Sequence, residues 1–74
     1  MKNLISILRK EKNLSQEELS KIVKVSRQTI ISIEKGKYNP SLELAFKLSK
    51  VLDKKIEELF IYEEDLLWQK NAYL

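Results

Sequence analysis

Leucine, isoleucine and valine recur at three- and four-residue intervals along most of this chain, the spacing of one face of an α-helix. Five helices account for the pattern. The first is expected over about residues 3–12, with Ile5 and Leu8 turned inward. The second starts at Ser15 and lines one face with Leu19, Ile22 and Val23. The third covers 26–35, with Ile30 and Ile33 inward. The fourth starts near Ser41 and buries Leu44, Ala45, Leu48 and either Val51 or Leu52. A short fifth, about 56–60, supplies Ile56, Leu59 and Phe60. Strict apolar–polar alternation, the mark of a half-buried strand, is weak everywhere except near 60–62. Past Tyr62 the pattern blurs: Leu66, Leu67, Tyr73 and Leu74 share a helical face, with Trp68 off it.

Local signals sharpen the boundaries. Ser15 and Glu18 form an S-x-x-E capping box, in which each side chain satisfies an orphan backbone N–H of the other residue. Leu14 and Leu19 hold the flanking positions of a hydrophobic staple, and Val25 with Ile30 repeats that spacing around the cap residue Ser26. The single glycine, Gly36, and the single proline, Pro40, both fall in GKYNP. That stretch is the clearest loop in the sequence, with Gly36 where a helix wants a left-handed residue.

Composition narrows the chemistry. At 74 residues there is room for one small core. The absence of cysteine and histidine removes disulfides, thiolate chemistry and the usual zinc sites; it fits a reducing cytoplasm. No apolar run approaches the ~18 residues of a membrane span, and the first ten residues lack a signal-peptide cleavage site. No cofactor and no small-molecule ligand are expected. The net charge of +3 conceals an asymmetry: residues 1–55 hold 13 basic and 6 acidic residues, whereas residues 56–74 hold one lysine and five acids. The basic part suits a polyanion, or is a lysine-coated surface and nothing more. The adjacent acids Glu17–Glu18, Glu57–Glu58 and Glu63–Glu64 diverge around a helix, so they make no catalytic pair and read as solvated helix-start charges.

Two short helices with a tight turn, over 16–35, are the layout of a helix-turn-helix. Its close crossing needs a small residue in the first helix, met by Ser20, and apolar residues in the second, met by Ile30 and Ile33. Lys24 stands in the turn where such motifs usually carry glycine; at positive φ it costs on the order of 1 kcal/mol.

The runs LSQEEL, VSRQTI, IEKGKYNPS and LELA, at these spacings, make the chain resemble the Xre family of bacterial and phage repressors, the lambda Cro/CI-like group. The resemblance covers about residues 4–60. It implies an all-α, five-helix, lambda-repressor-like DNA-binding domain over 1–60, with a C-terminal extension at 61–74. It also implies that helix 26–35 enters the major groove of double-stranded DNA, with Arg27, Gln28 and Ser32 reading bases. Arginine can pair with guanine O6 and N7, and glutamine with adenine N6 and N7. Ile31 falls on the same side, against a thymine methyl or the sugar-phosphate, or as an ordinary surface isoleucine. Gln16, at a helix N-terminus, is the family's phosphate-gripping position, and Thr29, Lys37, Tyr38 and Asn39 are further backbone contacts. By the same resemblance Arg9 and Glu34 are an enclosed ion pair, structural rather than DNA-binding.

The implied function is a transcriptional regulator, by default a repressor that blocks polymerase from a palindromic operator, located on the nucleoid. An antitoxin-type protein-interaction module with secondary DNA binding is the alternative, its acidic, aromatic tail serving as the partner segment. A small core without disulfides is marginal below ~80 residues, and oligomerisation is one remedy. A homodimer interface is therefore expected at Leu66, Leu67, Trp68 and Tyr73, with Leu4 and Ile7; the other reading is a tail folded back on its own core.

Overall fold

The computed structural model describes residues 1–62. Five helices follow one another: α1 Ile5–Glu11, α2 Gln16–Val23, α3 Arg27–Glu34, α4 Leu42–Leu52 and α5 Ile56–Leu59. A two-residue strand lies at each end, β1 Lys2–Asn3 and β2 Phe60–Ile61, paired antiparallel with Lys2 opposite Ile61 and Asn3 opposite Phe60.

The starts of α2, α3 and α4 follow the serines. Ser15 accepts from the Glu18 N–H at 2.9 Å while the Glu18 carboxylate accepts from the Ser15 N–H at 2.8 Å, so the capping box is complete. Ser26 and Ser41 cap α3 and α4 through the N–H groups of Thr29 and Leu44. Each such cap contributes on the order of 1 kcal/mol.

The ends of α1 to α4 share one device. Asn13, Lys24, Gly36 and Asp53 all have left-handed φ, between +56° and +75°. At each, the next N–H reaches back five residues: Leu14 to Arg9, Val25 to Ser20, Lys37 to Ser32, and Lys54 to Ser49. This satisfies carbonyls that the helix itself leaves orphaned.

One core results. Ile5, Leu19, Val23, Ile30, Ile33, Leu44, Leu48, Leu52 and Leu59 are buried together, with Leu8, Leu14, Val25, Val51 and Phe60 packed around them. Truncating one of the fully enclosed leucines to alanine is expected to cost ~2–5 kcal/mol.

Three expectations are corrected. α1 begins at Ile5, not Asn3, because Asn3 is held in β1 and the Leu4 N–H donates to Leu59 O at 2.8 Å. Ile22 is 50% exposed and does not join the face of Leu19 and Val23. Phe60 is not the end of α5 but the first residue of β2, half-buried against the core. No helix among the described residues is long and apolar enough to cross a membrane. The expected interface residues Leu66, Leu67, Trp68 and Tyr73 lie outside the described residues.

Candidate nucleic-acid interface

α2 and α3 pack closely across a turn that occupies only Lys24, Val25 and Ser26. Ser20 is buried at the crossing, and its Oγ donates to Glu17 O at 2.7 Å, so the small residue brings no unsatisfied polar atom inside. Lys24 takes φ +62° and ψ +47°, the left-handed conformation that the turn demands.

The seating of α3 decides what it presents. Ile30 and Ile33 are sealed in the core, which turns Gln28, Ile31 and Ser32 to the opposite arc of the helix and leaves Arg27 at its flank, beside Ile30. Arg27 and Gln28 are exposed in its first turn; Ile31 and Ser32 are half-buried. Thr29 lies to one side, its hydroxyl 2.9 Å from the Ser26 hydroxyl as part of the cap.

Two polar clamps hold α3 against the rest of the domain. At its C-terminal end Asn3 Nδ2 donates to Ile33 O at 2.7 Å, while Asn3 Oδ1 accepts from the Ile5 N–H at 3.2 Å. One amide thus joins the end of α3 to the start of α1. The sequence pattern did not single out Asn3, because its role depends on β1–β2 pairing. The second clamp is ionic. Arg9 Nε donates to Glu34 Oε2 at 2.7 Å and Arg9 Nη2 to Glu34 Oε1 at 3.3 Å, with the two side chains only 8% and 7% exposed. Arg9 Nη1 donates to Leu14 O at 2.8 Å. Gln16 Nε2 joins the cluster by donating to Glu34 Oε1 at 3.0 Å.

Beyond Gly36, the side chains of Lys37, Tyr38 and Asn39 are exposed in the loop before α4. Tyr38 and Thr29 line a polar cleft of about 260 Å³ together with Lys24, Ser41 and Lys47. Lys47 approaches Glu43 at 3.6 Å there, one turn away on α4. Lys24 and Lys47 are additions to the residues expected from sequence, which marked Lys24 only for its backbone. The Glu18 carboxyl is held below its ordinary pKa, first by the Ser15 backbone N–H, then by the Ser15 hydroxyl and the charge of Lys21.

A five-helix domain whose α2 and α3 form such a unit defines a class, the helix-turn-helix DNA-binding regulators. The chain belongs to the helix-turn-helix family, in its Cro/CI-like group: the family's model matches residues 5–59. It is 60% identical over 65 residues to an uncharacterized HTH-type transcriptional regulator of Methanocaldococcus jannaschii, covering 88% of this chain and 98% of that one. A second such regulator, from Archaeoglobus fulgidus, is 51% identical over 71 residues, 96% and 100% of the two chains. Among solved structures it is similar to the restriction-modification controller protein C.AhdI from Aeromonas hydrophila, with 38% identity and a TM-score of 0.68 over 76% of this chain and 85% of that one. The chain is a DNA-binding transcriptional regulator and not an enzyme.

Proposed function

We propose that this regulator is a sequence-specific repressor that binds a palindromic operator as a homodimer, with α3 in the major groove. The observation that carries the reading is the seating of α3. Its apolar face is locked into the core and its end is clamped, while Arg27 and Gln28 stand exposed in the first turn. A rigid helix with bidentate hydrogen-bonding side chains on its outer arc can discriminate base edges. Ser32 and Ile31 complete that arc. Gln16, Thr29, Lys37, Tyr38 and Asn39 contact the backbone phosphates on either side, and Lys24 adds charge beside Thr29 and Tyr38, where Lys47 is balanced by Glu43.

A dimer places two copies of α3 about 34 Å apart, one turn of the duplex. The β1–β2 ribbon supports a shared surface formed by both chain ends. It sets Lys2 opposite Ile61, and the Leu4 N–H donates to Leu59 O, so Leu4, 37% exposed, lies beside the end of α5; Ile7, one turn on in α1, is 57% exposed. On this reading residues 1–60 are the DNA-binding domain, and 61–74, with Leu66, Leu67, Trp68 and Tyr73, extend it for dimerisation.

Selection of bound duplexes from a random pool tests the reading. A consensus with twofold symmetry is expected. Enrichment of no sequence over bulk DNA would overturn sequence-specific recognition, and an asymmetric single site would overturn the homodimer.

A further inference from the structure

Gln16 is already bound on its inner side before any DNA arrives. Its Nε2 donates to Glu34 Oε1 at 3.0 Å, on a carboxylate that also accepts from Arg9 Nε at 2.7 Å and Nη2 at 3.3 Å. We propose that Glu34, held in place by Arg9, is a positioning residue for DNA binding, which orients the Gln16 amide so that its second N–H is presented to a backbone phosphate. The inference rests on the reading of Gln16 as a phosphate contact.

Three features carry it. An ionised carboxylate only accepts hydrogen bonds, so the Gln16 amide must turn its nitrogen and not its oxygen toward Glu34. That choice makes the donor end the anchored end. The nitrogen has two hydrogens, and among the described residues only Glu34 takes one. The second is left for an acceptor outside the fold.

The anchor is itself rigid. Arg9 and Glu34 are almost fully enclosed, and Arg9 Nη1 grips the carbonyl of Leu14, directly before the Ser15 cap of α2. Gln16 is the first residue of α2. The chain of contacts from Leu14 through Arg9 and Glu34 to Gln16 therefore closes on the helix start from which Gln16 projects. Backbone and side chain of Gln16 are fixed in one frame.

Charge also requires Arg9. A bare carboxylate hydrogen-bonded to the phosphate-gripping residue would repel the phosphate. The Arg9 guanidinium cancels that charge at contact distance, so Glu34 can orient Gln16 without opposing the ligand. Fixing a long side chain in advance removes an ordering cost otherwise met on binding, worth about threefold to tenfold in affinity.

A double-mutant cycle on the selected operator, with Glu34→Gln and Gln16→Ala at a temperature where each variant is folded, tests this. Glu34→Gln is expected to weaken binding about threefold to tenfold when Gln16 is present and to have little further effect when it is absent. An equal loss in both backgrounds would overturn positioning, since Glu34 would then act by another route. An unchanged affinity for Gln16→Ala alone would remove the phosphate contact and the inference with it, while leaving operator recognition intact. Should Glu34→Gln not fold, NMR relaxation of the side-chain amides in the unmodified protein decides. Gln16 is expected to be ordered without DNA and Gln28 mobile, with an order parameter below about 0.6. A Gln16 amide as mobile as that of Gln28 would overturn the proposal.

Discussion

Two residues at positive φ are expected to respond oppositely to substitution. Lys24 and Gly36 both sit at positive φ, +62° and +75°. A left-handed lysine carries strain of ~1–2 kcal/mol, partly offset because glycine loses more freedom on folding. Lys24→Gly is therefore expected to raise stability by about 0.5–1 kcal/mol in urea unfolding while weakening DNA binding, because it removes a cation from the cleft beside Thr29. A Cβ at Gly36 would meet Met1 O at 3.2 Å in addition to the strained φ, so no such gain is available there. Glu18 offers a test by pH. Its pKa is lowered in the folded state by the Ser15 N–H and hydroxyl. Its contribution is thus complete above the ordinary glutamate range and disappears as pH falls through the lowered folded value. Thermal melts of Glu18→Gln and the parent should differ at pH 6–7 and converge as pH falls below the ordinary glutamate range through the lowered folded value; a constant gap would show that the box does not depend on the charge.

At the scale of the element, the serine-capped starts were legible, while the start of α1 and most ends were not. Ser15, Ser26 and Ser41 announce three helices because a hydroxyl at that place has one strong use, accepting from the N–H three residues on. Of the four left-handed ends only Gly36 is a glycine, and a search for glycine passes over Asn13 and Asp53. α3 carries the test of recognition. Gln28→Ala is expected to cost ~1–3 kcal/mol on the cognate operator and to relax preference at one position of each half-site. Lys37→Ala should weaken binding to all duplexes alike and flatten the dependence on salt. Operator variants titrated at several salt concentrations separate the two. An unchanged base preference for Gln28→Ala would mean that another residue reads that position.

The whole molecule is drawn together by contacts between distant parts of the chain: Leu4 with Leu59, Asn3 with Ile33, and Arg9 with Glu34. Removal of Arg9 or Glu34 alone is expected to cost ~3–5 kcal/mol, since the partner charge is left enclosed and unpaired. Dimerisation belongs to this scale as well. Sedimentation at micromolar concentration should show a dimer, and charged substitutions at Leu4 and Ile7 should shift it toward monomer and weaken operator binding together. A monomer at every concentration, with and without operator, would leave the twofold reading without support.

The sequence by itself determined the five helices, the turn between α2 and α3 and most of the core, because caps and apolar periodicity act over three to five residues and are written locally. It also marked Gln28 as outward, which follows from the inward placement of Ile30 and Ile33; Arg27, three residues before Ile30, was placed outward by the resemblance and is exposed at the flank of α3. Only the tertiary structure decided what joins across the chain. A two-residue strand has no period to detect, so β1 and the clamp made by Asn3 exist only because Phe60 and Ile61 come alongside. Ile22 looked buried by spacing, yet it is half exposed, and among the described residues it is not part of the core. Gln16 had the residue type of a phosphate contact, but its hydrogen bond to Glu34 arises only when α1, α2 and α3 meet around Arg9.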